Sequence, residues 1–164
     1  MARGDVNQLG VTLRSMTEQE FFEIYDIIIA EHAEGLVQFG NMTKEDLRAQ
    51  YDTLLPDGFH TSGTEFSVVV NTENEEVGFV LLIERQPGVA LIMHIEIKEE
   101  FRRRGYARSV ITLVESEMGM KNYRMLALNV MENNKRARSL YESCGFEIHS
   151  IDDGAITMFK PLAK

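Results

Sequence analysis

The sequence ALIMHIEIKEEFRRRGYARSVI, residues 90–111, decides the fold because its hydrophobic period changes in the middle. Residues 90–98 are mostly apolar and predict a buried strand, whereas apolar side chains recur at helical spacing over residues 104–118. Between the two patterns lies RRRG at residues 102–105, and a second buried strand, MLALNVM, follows at residues 125–131. Strand, helix and strand predict a right-handed crossover between two parallel strands. The arginine–glycine turn then lies at the carboxyl end of the first strand.

Helix caps and turn residues delimit the other elements. Thr17 with Glu20 forms a capping box that starts a helix running to about residue 34, and Thr43 starts a second helix. Strands are predicted at residues 11–15, 66–72 and 76–84 and in a closing hairpin split by Asp152-Asp153-Gly154. The order is one strand, two helices, three strands, a helix, a strand, a helix and two strands. It predicts an α/β fold in which a mixed sheet has helices on both faces.

Charge is unevenly distributed along this acidic chain, whose formal net charge is −9. Residues 1–60 hold eleven acidic and four basic side chains, whereas residues 98–138 hold five acidic and ten basic ones. A nucleic-acid-binding protein needs a broad positive surface, which this charge balance does not favour. The basic segment favours a compact anionic ligand. Solvated helix faces that happen to be basic explain the same segment.

Several classes of protein are excluded by what the sequence lacks. No apolar run approaches the length of a membrane span, and the N-terminal MARGDVNQLG has no apolar signal-peptide core. The single Cys144 cannot form an internal disulfide and is typical of a reducing cytoplasm. The four histidines show no metal-ligand spacing, so we expect no metal. We therefore expect a cytoplasmic protein without nucleic-acid or membrane partners.

The arginine–glycine turn has the chemistry of an anion site. The first N–H groups of a helix have no partner within it, and the helix dipole places partial positive charge there. Gly105 allows a close approach of the backbone, and arginines add charge-assisted hydrogen bonds. The dinucleotide pattern GxGxxG and the P-loop pattern GxxxxGK[ST] are both absent. What remains is R-x-x-G-x-A at residues 102–107.

A second motif, NKRARSLYESCGF at residues 134–146, reads N-x-x-A-x-x-L-Y-E-x-x-G-F. The two motifs together resemble the GNAT family of acetyl-CoA-dependent N-acyltransferases, whose strand order also agrees. The resemblance implies one N-acetyltransferase domain over residues 1–164, with a mostly antiparallel twisted sheet of about seven strands. Ala107 stands where the family often has glycine, which the family permits. Residues 17–60, the substrate side, match no sub-family of known specificity.

The resemblance also implies the cofactor site, with acetyl-CoA as donor and CoA as product. The implied cofactor-binding residues are Ile95, Ile97, Arg102, Arg103, Arg104, Gly105, Tyr106, Ala107, Asn134, Ala137 and Tyr141. The backbone of Ile95 and Ile97 would pair with the pantetheine amides as an added strand does. Tyr141 matches the tyrosine that protonates the leaving thiolate, and Asn134 both caps its helix and bonds the pantetheine arm. Cys144 is interpreted as an apolar filler, which is consistent with direct attack by the amine.

Amine acetylation requires a base, because an alkylamine with a pKa near 10.4 is neutral in only about one molecule in a few thousand at pH 7. Deprotonation without help adds roughly 4–5 kcal/mol to the barrier. His94 and Glu96 lie two residues apart, on one face of the strand that precedes the turn. Both are candidates for the proton path. A structural ion pair of Glu96 and a core position for His94 explain the same residues.

The acceptor remains open at this level. Acidic side chains in residues 18–34 favour a cationic amine, although a solvated acidic face explains them equally well. The alternatives are a protein lysine or N-terminal acetyltransferase and a non-catalytic CoA-binding regulatory module. The oligomeric state is open between a monomer and a homodimer.

Overall fold

The computed structural model describes residues 9–37 and 43–163, which form two compact units. Among the described residues, one unit comprises residues 9–15 with residues 65–163, and the other comprises residues 16–37 and 43–64. The expectation of a missing signal peptide rests largely on residues 1–8, which lie outside the described residues. The elements are β1 (Val11–Ser15), α1 (Glu18–Val37), α2 (Lys44–Leu54), β2 (Thr64–Asn71), β3 (Glu76–Gln86), β4 (Val89–Ile97), α3 (Tyr106–Met120), β5 (Met125–Met131), α4 (Lys135–Ser143), β6 (Glu147–Asp152) and β7 (Ala155–Pro161).

The seven strands form one sheet in the order β1-β2-β3-β4-β5-β7-β6. β4 and β5 are parallel, whereas β1 with β2, β3 with β4, β5 with β7 and β6 with β7 are antiparallel. The predicted fold class, a mixed and mostly antiparallel sheet with helices, is therefore confirmed. The two parallel strands are those that flank α3, as the period change in the sequence predicted.

Local capping explains where the helices begin. The Thr17 hydroxyl accepts from the Glu20 N–H at 3.1 Å, and the Glu20 carboxylate accepts from the Thr17 N–H at 3.0 Å. Thr43 and Asp46 form the same reciprocal box at α2. α3 begins at Tyr106 rather than at residue 104, because its N-cap Gly105 is left-handed with φ 93°. α1 continues to Val37 rather than ending near residue 34.

The core of the larger unit lies between the sheet and two helices. α3 buries Val110, Ile111 and Val114 against it, and α4 packs Leu140 and Tyr141 against the same cluster. Fully buried apolar side chains from β3, β5 and β7 complete the cluster: Val77, Val80, Leu126, Ile156 and Met158. Both helices therefore lie on one face of the sheet, and their first turns follow the carboxyl ends of the parallel strands β4 and β5.

Candidate active site

The parallel pairing of β4 with β5 stops part-way along both strands. It runs from Val89 opposite Met125 to Ile92 opposite Leu128. β5 continues to Met131 paired with β7, and β4 continues to Ile97 paired with β3. Within the described part of the chain, β4 beyond Ile92 therefore has no strand on its β5 side. The sheet opens at this point, and the open edge leads into the arginine–glycine turn.

A β-bulge in β4 sets which side chains face the opening. Leu82 of β3 lies opposite Ile92, but Leu81 lies opposite His94, so Met93 has no partner in the register. Ala90 and Ile92 belong to the core beneath α3, and after the bulge Ile97 belongs to it instead of Glu96. The extra residue thus moves His94 and Glu96 to the opposite face. Strict alternation from Ala90 would have placed both of them in the apolar core.

The main chain of β4 alternates its hydrogen-bonding direction between β3 and the open edge. A Cβ atom at Gly78 of β3 would lie only 2.1 Å from the Glu96 carbonyl oxygen, so this carbonyl points towards β3. The Lys98 N–H donates to the Val77 carbonyl at 2.8 Å, also towards β3. The main-chain groups of Ile95 and Ile97 consequently point towards the open edge, where the Ile97 carbonyl accepts a hydrogen bond from Arg102 Nε at 2.7 Å.

His94, Glu96 and Arg102 form a polar row at this opening. His94 Nε2 lies 3.9 Å from Glu96 Oε2, and the two side chains are 14% and 24% exposed. Arg102 donates from its terminal nitrogen to Glu96 Oε1 at 3.3 Å and from Nε to the Ile97 carbonyl at 2.7 Å. The His94 ring stacks on Phe79 at 5.5 Å between centroids. The sequence predicted that His94 and Glu96 share one face of β4, and the ion pair named there as the structural alternative for Glu96 is present, with Arg102 as the partner.

The turn itself contains two left-handed residues, Arg103 with φ 64° and Gly105 with φ 93°. The side chains of Arg103 and Arg104 are exposed, and Arg104 lies 5.6 Å from the Phe101 ring centroid. Among the described residues, no side-chain cap is present at the first turn of α3. The N–H groups at this helix end, which include those of Tyr106 and Ala107, are therefore available to an anion.

The second motif lies on α4 as predicted. The Asn134 side chain accepts from the Ala137 N–H at 3.2 Å, so its predicted capping role is confirmed, and its amide N–H groups make no hydrogen bond to another described residue. Tyr141 is half-buried and its ring meets Phe146 edge-on, with 6.1 Å between centroids. Its hydroxyl makes no hydrogen bond to another described residue. Burial raises the pKa of the Tyr141 hydroxyl, which therefore keeps its proton at neutral pH.

Cys144 follows α4 and is half-buried, with its Sγ 3.7 Å from an Arg108 nitrogen. Burial raises the pKa of its thiol, which opposes formation of the reactive thiolate. This position supports the interpretation of Cys144 as a packing residue.

Both motifs fall within residues 21–146, the part of the chain that matches the Acetyltransferase (GNAT) family. The chain belongs to this family. It is accordingly an acyltransferase of the N-acetyltransferase class. It is similar to two N-acetyltransferases of Bacillus subtilis whose activities are uncharacterized. YdgE is 24% identical over an alignment of 150 positions, which covers 87% of this chain and 96% of YdgE. YycN is 28% identical over an alignment of 145 positions, which covers 84% of this chain and 92% of YycN.

Solved structures of GNAT proteins share the fold. The crystal structure of B. subtilis YycN superposes with a TM-score of 0.78 at 25% identity, covering 87% of this chain and 96% of YycN. A spermidine N-acetyltransferase from Vibrio cholerae, solved with CoA and spermine, has a TM-score of 0.65 at 22% identity. That comparison covers 92% of this chain and 95% of the V. cholerae protein.

Two further findings concern the residues that the structure describes. None of their helices is both long and apolar enough to span a membrane. Within the same residues, no three His, Cys, Asp or Glu side chains are grouped so that they could hold a metal ion.

Proposed function

We propose that this GNAT protein transfers an acetyl group from acetyl-CoA to a primary amine by direct attack of the amine on the thioester. The observation that carries the proposal is the open edge of β4, which runs from Met93 to Ile97 and continues into the turn at residues 102–105. An extended pantetheine arm pairs with such an edge as an added strand. Its pyrophosphate then reaches the uncapped end of α3 and the exposed arginines.

The acceptor amine must lose a proton for the reaction to complete. In the proposed step the amine nitrogen bonds to the acetyl carbon, the carbon–sulfur bond breaks, and Glu96 accepts the amine proton directly or through His94. The 3.9 Å separation of His94 Nε2 and Glu96 Oε2 places the two groups on one short proton path. Arg102 is bonded to Glu96 Oε1 at 3.3 Å, so the second oxygen, Oε2, is the one that faces His94.

The leaving group must gain a proton. Tyr141 donates it to the CoA thiolate, which is basic enough to take a proton from a phenol. Burial keeps the hydroxyl protonated, and its lack of a bonded partner among the described residues leaves it free to donate. A main-chain N–H on the open side of Ile95 or Ile97 polarises the thioester carbonyl as an oxyanion hole does. The proposal thus gives each proton and each developing charge a named group in this chain.

We propose a cationic amine as the acceptor class. The negative charge of the chain, a formal net charge of −9, supports this choice because it attracts a cation. The name of the V. cholerae fold neighbour, a spermidine N-acetyltransferase, points in the same direction. We further propose that residues 1–164 act as one N-acetyltransferase domain and that the enzyme works in the cytoplasm.

The test is release of free thiol from acetyl-CoA, measured with and without a panel of amines, together with mass spectrometry of the acetylated product. The panel contains spermidine, a small monoamine and a lysine-containing peptide. Rapid amine-dependent release with spermidine supports the proposal. Preference for the peptide would favour a protein acetyltransferase. CoA binding without acetylation of any amine would favour a non-catalytic module, and calorimetry that detects no CoA binding would refute the site.

A further inference from the structure

Two polar side chains are buried among the described residues, and both are bonded around the start of α3. Asn71 is 9% exposed and Ser109 is 5% exposed. The Ser109 hydroxyl donates to the Gly105 carbonyl at 3.2 Å and accepts from the Leu9 N–H at 3.1 Å. The Asn71 amide donates to the Tyr106 hydroxyl at 3.3 Å. Burial of a polar group is costly unless it is hydrogen-bonded, so the bonds at this corner hold both side chains in fixed positions.

Asn71 uses every hydrogen-bonding position of its side-chain amide. Its oxygen accepts from the N–H groups of Glu73 at 3.0 Å and Glu75 at 2.9 Å, which closes the turn between β2 and β3. Its nitrogen donates to Glu75 Oε1 at 3.1 Å and to Tyr106. One side chain therefore connects the β2–β3 turn to the first residue of α3, 35 positions along the chain.

Tyr106 carries this connection to the arginines. Its ring is buried and meets Phe101 edge-on, with 6.1 Å between centroids. The Arg104 guanidinium in turn lies over the Phe101 ring, 5.6 Å from its centroid. The hydrogen bond from Asn71 is the largest effect that lowers the pKa of the Glu75 carboxyl; a hydrogen bond from Glu73 lowers it too, and the charge of Arg104 adds a smaller lowering. Asn71, Tyr106, Phe101 and Arg104 thus form a continuous set of contacts from the turn to the anion site.

We propose that Asn71 is a positioning residue for the pyrophosphate of CoA. It holds Tyr106, and through it the left-handed Gly105 and the free N–H groups of α3, in the geometry that receives the anion. This inference rests on the proposed function, since it assumes that CoA binds at the turn. A preformed site binds more tightly because less conformational freedom is lost on binding. Loss of Asn71 should therefore weaken the binding of phosphate-bearing donors and leave the acetyl-transfer step itself unaffected.

The alternative is that Asn71 only stabilises the β2–β3 turn. The two roles differ in which donor they affect, since acetyl-pantetheine carries the same thioester but no pyrophosphate. A positioning role predicts a selective defect with acetyl-CoA. A purely structural role predicts a lower melting temperature and equal effects on both donors.

The experiment measures Kd for CoA by calorimetry, and KM and kcat for acetyl-CoA and for acetyl-pantetheine, in the unmodified protein and in Asn71→Ala. We expect Kd for CoA and KM for acetyl-CoA to rise about tenfold, the equivalent of one well-made hydrogen bond. We expect kcat to stay within about twofold, and kcat/KM for acetyl-pantetheine to change by less than about twofold.

Tyr106→Phe provides the second variant, because it removes the contact with Asn71 and leaves the turn bonds in place. We expect it to raise Kd for CoA in the same direction. Tyr123→Phe is the matched control. The Tyr123 hydroxyl donates to Glu84 at 3.3 Å, the length of the bond between Asn71 and Tyr106, and it is not bonded to Asn71. Its Kd for CoA should be unchanged.

Equal losses with both donors, or a normal Kd for CoA in Tyr106→Phe and in folded Asn71→Ala, would overturn the positioning role while leaving the proposed function intact. Absence of CoA binding by the unmodified protein would overturn both.

Discussion

Replacing Tyr141 by phenylalanine tests the proposed general acid, because it removes one oxygen and keeps the ring that packs beside Phe146. The hydroxyl has no hydrogen bond to another described residue, so no buried partner is left unsatisfied by the change. The free energy of unfolding should therefore change by about 1 kcal/mol or less. The affinity for acetyl-CoA should also change little, because the proposed contacts come mainly from the backbone of residues 95–107.

Turnover should fall much more than stability. Loss of a general acid costs a factor of roughly 10² to 10⁴, which corresponds to about 2.7–5.4 kcal/mol in the activation free energy. The loss should be smaller with an acetyl thioester whose leaving thiol is more acidic, since its thiolate needs the proton less. Burial raises the pKa of Tyr141, so the hydroxyl stays protonated and the defect should persist across neutral pH.

The assay is single-turnover acetyl transfer to a good acceptor, with the rate of thiol release recorded at saturating acetyl-CoA. Thermal unfolding is measured alongside, and Tyr123→Phe controls for the loss of a tyrosine hydroxyl elsewhere in the same unit. A kcat for Tyr141→Phe within about twofold of the unmodified protein, with chemistry rate-limiting, would refute the reasoning. Tyr141 would then be a packing residue, and another group would have to protonate the thiolate.

Four other predictions follow from single contacts. Glu96→Gln should lower kcat/KM most near neutral pH, with a deficit that shrinks as the pH approaches the amine pKa; a loss that is constant with pH would indicate a structural ion pair. Gly105→Val should weaken CoA binding more than tenfold by calorimetry and cost about 1–2 kcal/mol of stability, because valine is strained at φ 93°. Gly78→Ala should lower the free energy of unfolding by about 1–3 kcal/mol, since its Cβ would lie 2.1 Å from the Glu96 carbonyl oxygen. Gly119→Ala is the control, because its Cβ would lie 3.6 Å from the nearest atom, and it should not lower the free energy of unfolding. Burial raises the pKa of Tyr51 to about 12 from the ordinary value of 10.0, so its contribution to stability is complete below pH 10.0 and is lost as the pH rises towards 12. The free energy of unfolding of Tyr51→Phe, measured by denaturant unfolding, should fall less between pH 10 and about 12 than that of the unmodified protein. An equal fall in both proteins would show that Tyr51 is not the group that titrates.

The features of the fold and of the site that the sequence predicted depend on residues that are close together in the chain. The Thr17–Glu20 capping box closes over three positions, and Asn134 caps the N–H of Ala137 three residues later. Both can be recognised because the donor and the acceptor belong to the same helical turn. The alternation of His94 and Glu96 is equally local, and the structure places both side chains on one face of β4. The hydrophobic spacing places the start of α3 two residues early, because spacing alone does not show that Gly105 adopts a left-handed conformation.

The contacts that the sequence did not predict join distant segments. Asn71 precedes a turn, so its bonds to Glu73 and Glu75 belong to a recognisable turn pattern. Nothing in that pattern indicates that its amide also bonds Tyr106, because this contact depends on how β2 and α3 pack in three dimensions. The Arg102 side chain was assigned to the anion by its motif, yet it contacts Glu96, which a motif cannot foresee.

The sequence by itself determined which residues are available for the chemistry and in what order the strands and helices occur. The hydrophobic periods, the caps and the two motifs are local properties of the chain, and local spacing is sufficient to specify them. Only the tertiary structure decided which face of the sheet His94 and Glu96 occupy. That choice depends on the bulge at Met93, where the pairing of β4 with β3 passes from Ile92 opposite Leu82 to His94 opposite Leu81. The bulge is a property of the two paired strands and not of β4 alone. The opening beside Ile95 and Ile97 is likewise a property of two strands, since pairing of β4 with β5 ends at Ile92 while β5 continues along β7.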